Sequence, residues 1–283
     1  MNGQVEWVVA GVLLAWTLAA LTVIVRRGWA RSDSLDDAPR RRVDLLPVDV
    51  VVGVGLLLVG RLSAIEVGQA IGLLPLPDPA PPHDLALMAL LAQLVGLGPA
   101  VIYFLVRCAL AGGWDQAGLW PGKPVRLLRL AALATVVALP VVFAAGLLTQ
   151  WISLIVGQPV PQVAHEMLKV MLAAESRGTV ALLCVSAIVV APLLEEVIFR
   201  GLVQTSLLSV MGRWPVVGVS AVFFAVMHLP AVGVWQAMPP LLVLGLILGW
   251  LYEKTGSLWP GIALHAAFNA ANVAMLLLLV PVE

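Results

Sequence analysis

Long apolar runs recur through this chain, and they constrain its fold more than any other feature. Eight of them fall near residues 7–25, 50–74, 85–106, 130–149, 179–194, 215–228, 239–252 and 260–280. About 20 residues of helix cross a bilayer core, and within lipid a helix satisfies its own backbone polar groups. The runs therefore predict an all-α polytopic membrane protein with about eight transmembrane helices. Composition agrees: 11% of residues are charged, against roughly a quarter in soluble domains. The runs 215–228 and 239–252 are short, about 21 Å each at 1.5 Å per residue. Such spans tilt little, thin the bilayer or flank a water-filled space.

Charge placement says more than charge total. Sixteen Lys and Arg balance sixteen Asp and Glu, so no global field argues for a nucleic-acid partner. Arg26, Arg27, Arg31, Arg40, Arg41 and Arg42 follow the first run, and Arg107, Lys123, Arg126 and Arg129 follow the third. Both loops are expected in the cytoplasm. Arg200, Arg213 and Lys254 join them if every run crosses once, which puts both termini outside. Only Glu6 precedes the first run while arginines follow it, so a retained span is expected rather than a cleaved signal. The proline-rich connector 75–83 is expected as an external loop. Residues 160–178 mix apolar positions with His165, Glu166, Lys169, Glu175 and Arg177, a pattern read as an interfacial amphipathic helix or a connector. The division that follows is 1–150 for four N-terminal helices, 151–178 for the connector and 179–283 for the segments that carry chemistry. Cys108 and Cys184 lack CxxC spacing and carry no expected disulfide or metal role.

Ionisable groups are costly in lipid, so the places where polar residues interrupt apolar runs are functional candidates. Three stand out. In Pro192-Leu193-Leu194-Glu195-Glu196-Val197-Ile198-Phe199-Arg200, helical spacing sets Glu196 and Arg200 on one face and turns Glu195 about 100° away. Glu196 can then be a structural partner of Arg200, while Glu195 faces a cavity as a general base; a charged helix end is the competing reading. His228 ends a short apolar run before Pro230, and an interfacial position is its plainer reading. His265 and Asn269 lie one turn apart on the last run, where interhelical hydrogen bonding and catalysis both fit. A carboxylate, two histidines and an amide on three segments can together activate water and hold an oxyanion.

The ordered set Glu195-Glu196-xxx-Arg200, Phe224-xxx-His228 and His265-xxx-Asn269 resembles the motifs of the intramembrane CAAX prenyl protease and bacteriocin-processing family, called CPBP or Abi. The likeness covers roughly residues 179–272. It implies helices enclosing an intramembrane cavity open toward the cytoplasm, with Glu195 and His228 activating a water and His265 and Asn269 forming the oxyanion site. It further implies a peptide or membrane-protein substrate and a multi-pass location in the plasma (inner) membrane. No HExxH occurs in the chain, but Glu195, His228 and His265 would suffice for one divalent metal such as zinc. Two rival readings are a non-catalytic scaffold or immunity protein binding a membrane partner, and a small proton-coupled transporter. Gly245-xxx-Gly249 suits a close helix crossing, and Arg61 and Glu66 within the second run have no role in this reading.

Overall fold

The computed structural model describes residues 3–39, 44–111, 113–114, 117–120, 124–158, 166–232 and 235–279, and all its regular structure is helical. The helices are α1 (Gly3–Arg26), α2 (Pro47–Ala70), α3 (Pro82–Leu110), α4 (Pro124–Ile155), α5 (Glu166–Leu172), α6 (Arg177–Leu207), α7 (Arg213–Val232), α8 (Met238–Thr255) and α9 (Trp259–Leu279). Six of them, α2, α3, α4, α6, α8 and α9, are long and apolar enough to cross a membrane; α1 and α7 supply two shorter apolar segments.

Three sequence expectations change. The run 239–252 extends to 18 residues, because Pro239 and Pro240 occupy the first turn, where a missing N–H costs nothing, and Glu253 and Lys254 continue the last. Among its described residues, the segment 160–178 holds the seven-residue α5, whose Met171 is buried with Leu183, Val273 and Leu276, and the first residues of α6, which begins at Arg177 rather than 179; His165 falls outside the described residues. The third change matters most. Helix α6 does not end at the paired glutamates but runs eleven residues beyond Glu196 to Leu207, about 16 Å further at 1.5 Å per residue. The acids are therefore mid-helix, and Arg200 is a fully buried residue, not a loop charge that could report topology.

What holds this polar stretch is a pair of side chains on α6, Arg200 and Gln204, four residues apart and facing α8. Arg200 donates to Gly245 O at 3.1 Å, and Gln204 donates to Gly249 O at 3.0 Å and to Glu253 at 2.9 Å. Arg213 meets the other Glu253 oxygen at 3.0 Å. The two glycines keep α8 close to its neighbours: a Cβ at Gly245 would sit 3.0 Å from the Ala221 backbone, and one at Gly249 would sit 2.9 Å from the Gln204 amide. Phe224, Leu244, Leu248 and Leu264 fill the core among α7, α8, α9 and α4. On the other side α2 packs on α3 through Gly60, where a Cβ would come within 2.6 Å of the Gly96 carbonyl.

The segment after α1 folds back over one end of the bundle. Lys254 donates to Ser34 O, Arg213 to the carbonyls of Ala38 and Pro39, and Trp214 to Ser32 O. Leu258 N–H and the Trp259 indole reach Gly118 O and Leu119 O. The connections α1–α2, α3–α4, α6–α7 and α8–α9 thus share one end.

Candidate active site

The site forms where α6, α7 and α9 meet. In α6, two segments, Ser186–Val190 and Val197–Gln204, are wound as π-helix on either side of the glutamates, a distortion that often marks functional positions. The first has a visible cause. Ala191 N–H bonds to Ser186 O, five residues back; the next residue is Pro192, which has no N–H, so Ala187 O loses its partner within the helix. Asn269 of α9 donates Nδ2–H to that oxygen at 2.7 Å. One of the two amide protons of Asn269 is therefore committed to fastening α9 against α6.

Glu195 and Glu196 diverge as helical spacing requires. Glu196 is buried, and its Oε1 lies 3.1 Å from Arg200 Nη1 and 3.1 Å from His265 Nδ1. An ionised carboxylate only accepts, so His265 carries its proton on Nδ1, and its Nε2 points at Glu195 Oε2, 3.9 Å away. Gly261 admits this approach: a Cβ there would lie 3.0 Å from Glu196 Oε2.

His228 is fixed in the same way from α7. Its Nδ1 lies 2.7 Å from Phe224 O, an acceptor, so Nδ1 bears a proton and Nε2 faces Glu195 Oε2 at 3.3 Å. At that separation the two groups are close enough to pass one proton between them. Side-chain exposure is 15% for Glu195 and 17% for His228, against 4% for His265, so Glu195 and His228 are the more accessible members of the group.

Phe224 is the plate beneath this group. Its ring lies 4.4 Å from that of His228 and edge-on to that of His265 at 5.6 Å. The Arg200 guanidinium lies 4.8 Å from its centroid, a cation–π distance.

Glu195, His228 and His265 are thus brought together from three helices, Glu196 and Arg200 lie behind them, and Asn269 lies on the same face of α9 as His265 with one donor bound to α6. The His265–Glu196 contact was not anticipated from sequence, because nothing in a single chain says which faces of α6 and α9 meet. Gln204 was also missed, although its i+4 spacing from Arg200 was a readable signal. Among the described residues no group of three or more His, Cys, Asp and Glu is disposed to hold an ion as the side chains stand.

Comparison with known families matches residues 177–271 to Rce1-like, the type II CAAX prenyl endopeptidase Rce1-like family. No curated protein and no solved structure matches the chain. The match spans α6 through most of α9 and contains Glu195, Glu196, Arg200, His228, His265 and Asn269. Residues 177–271 of this polytopic helical protein are accordingly a domain of the Rce1-like type II CAAX prenyl endopeptidase family.

Proposed function

We propose that this chain is an intramembrane endopeptidase that hydrolyses a peptide bond with a water activated by Glu195 and His228. The observation that carries the proposal is that Nε2 of His228 and Nε2 of His265 both turn toward Glu195 Oε2, at 3.3 and 3.9 Å. Each ring is held there through Nδ1 by a partner outside the reacting group. A base within hydrogen-bond reach of a water, with an oriented imidazole beside it, is the arrangement general base catalysis needs.

In this mechanism the Glu195–His228 pair accepts a proton from water as its oxygen bonds to the scissile carbonyl carbon. The carbonyl oxygen becomes the oxyanion. His265 faces it as a donor when Nε2 is also protonated, and the buried Glu196 carboxylate on Nδ1 stabilises that imidazolium. Asn269 contributes its remaining amide proton. Collapse of the tetrahedral intermediate breaks the C–N bond, and the proton held by Glu195 and His228 passes to the leaving amine. Arg200 does not touch substrate; it neutralises Glu196 and positions Phe224.

The substrate class proposed is a peptide or membrane-protein segment entering from the end of the bundle that carries the basic connections. Basic loops favour the cytoplasmic side, which supports a cytoplasmic assignment of that end; the location proposed is a multi-pass position in the plasma (inner) membrane. The test is purified protein in detergent or nanodiscs against a quenched fluorescent peptide library, with Glu195→Gln alongside. Cleavage by the parent and its loss in the variant are expected. Equal cleavage by both would overturn the proposal, and no cleavage of any peptide would favour a scaffold that uses the same site to bind a partner.

A further inference from the structure

Helix α2 carries two ionisable side chains that the catalytic reading does not use. Arg61 is the fifteenth of its 24 residues and Glu66 the twentieth, and both are exposed on the outside of the bundle. Neither has an ion pair or hydrogen bond to another described residue. A charge presented to lipid is costly and calls for a partner. The two are five residues apart, too far around the helix to pair with each other.

The outer face of α2 supplies the rest of the pattern. Val51, Gly55, Leu58, Leu62, Ile65 and Gln69 are all exposed, and they alternate by four and three residues, which is the a/d seam of a heptad repeat. The opposite face, with Gly53, Leu57, Gly60 and Ala64, is buried against the protein's own helices. In this register Arg61 falls at g and Glu66 at the following e. Those positions flank the seam, and g to the next e' is the spacing at which parallel helices exchange salt bridges. Copies of a polytopic protein insert in one orientation, so α2 from two copies side by side is necessarily parallel. Gly55 adds a point: a Cβ there would meet nothing within 4 Å in its own chain, so no contact inside the protein requires glycine. A close approach from outside uses it, as small residues do between membrane helices.

We propose that α2 is a homodimer interface in which two copies pack in parallel about a twofold axis, with Arg61 of each copy paired to Glu66 of the other. The opposite charges at a self-complementary spacing favour a second copy over an unrelated helix. The seam leaves the α6, α7 and α9 faces that form the active site free on both copies.

The test is disulfide crosslinking in native membranes, using full-length protein in which Cys108→Ala and Cys184→Ser remove the native thiols. Leu62→Cys at the seam is expected to crosslink to dimer under mild oxidant, and Ile102→Cys, 62% exposed on α3, is expected not to. Adding Arg61→Glu, or Glu66→Arg, to Leu62→Cys sets like charges opposite each other and should cut the dimer fraction about tenfold or more. The double swap Arg61→Glu with Glu66→Arg should restore it, which a mere insertion or folding defect would not do. Crosslinking at Leu62→Cys no stronger than at Ile102→Cys overturns the proposal. So does crosslinking that ignores the single charge changes, failure of the swap to restore it, or adducts only to a different protein.

Discussion

Replacing Arg200 by methionine tests the physics of the buried ion pair most sharply. Arg200 and Glu196 have side-chain exposures of 0% and 1% at 3.1 Å, so removing the cation leaves a carboxylate in a site that cannot solvate it. Breaking such a pair costs about 3–5 kcal/mol. The lower end is expected here, because His265 Nδ1 still reaches the same Glu196 oxygen at 3.1 Å. The variant also loses the bond to Gly245 O and the contact over Phe224. Taking about 3 kcal/mol and about 2–4 °C per kcal/mol for a chain of this size, the apparent melting temperature should fall by roughly 6–12 °C. The double variant Glu196→Gln with Arg200→Met removes both charges and should recover most of that loss, since a neutral buried pair of similar volume often matches the ionic one. Thermal unfolding of the purified protein in one detergent, followed by intrinsic tryptophan fluorescence, gives both numbers. Melting temperatures for Arg200→Met equal to the parent, or a double variant as unstable as the two single losses added, would refute the assignment of Glu196 and Arg200 as a structural pair.

Other outcomes follow from the same geometry. Asn269→Leu frees Ala187 O and should cost about 1–3 kcal/mol as well as activity; a variant with parental melting temperature and low activity would mean that the bond to α6 does not matter and only the remaining donor does. Gly249→Ala forces a Cβ to within 2.9 Å of the Gln204 amide and should destabilise by about 1–3 kcal/mol, read by the same unfolding assay. Elemental analysis of active protein is expected to find no stoichiometric zinc, and a zinc lost together with activity in His228→Ala and His265→Ala would reverse the metal assignment. Reporters fused in 27–48 and 108–128 should read cytoplasmic and one in 75–84 external; the opposite result would reverse the direction from which substrate enters.

The number and rough position of the apolar helices were legible because lipid demands long runs of one kind of residue. Their ends were less so. In the sequence Glu195, Glu196 and Arg200 look like a charged helix end after the run 179–194; only the facing carbonyls of Gly245 and Gly249 and the side chain of Glu253, which take up Arg200 and Gln204, make this stretch an interior seam. The run 239–252 likewise stops short of Glu253 and Lys254, which continue α8. Within the site, i to i+4 spacing anticipated the Glu196–Arg200 contact and the shared face of His265 and Asn269. The junction of α6 with α9, which puts His265 on Glu196 and spends an Asn269 proton on Ala187 O, depends on π-helical turns around Pro192 that no hydropathy pattern encodes. Arg61 and Glu66 gained meaning only when exposure revealed the heptad between them.

The most direct test of the central claim compares Glu195→Gln with the parent in two measurements on the same preparation, the cleavage rate of a peptide substrate and the apparent melting temperature. Gln keeps the shape of Glu195 but cannot take a proton from water, and loss of a general base typically costs on the order of a hundredfold or more in rate. Glu195 is outside the Glu196–Arg200 pair, with a side chain 15% exposed against 1% for Glu196, so the melting temperature should stay within a few degrees of the parent, roughly a 1 kcal/mol effect. A rate that falls about a hundredfold in a variant as stable as the parent is the result the account predicts. A Glu195→Gln protein that cleaves at the parental rate would contradict it.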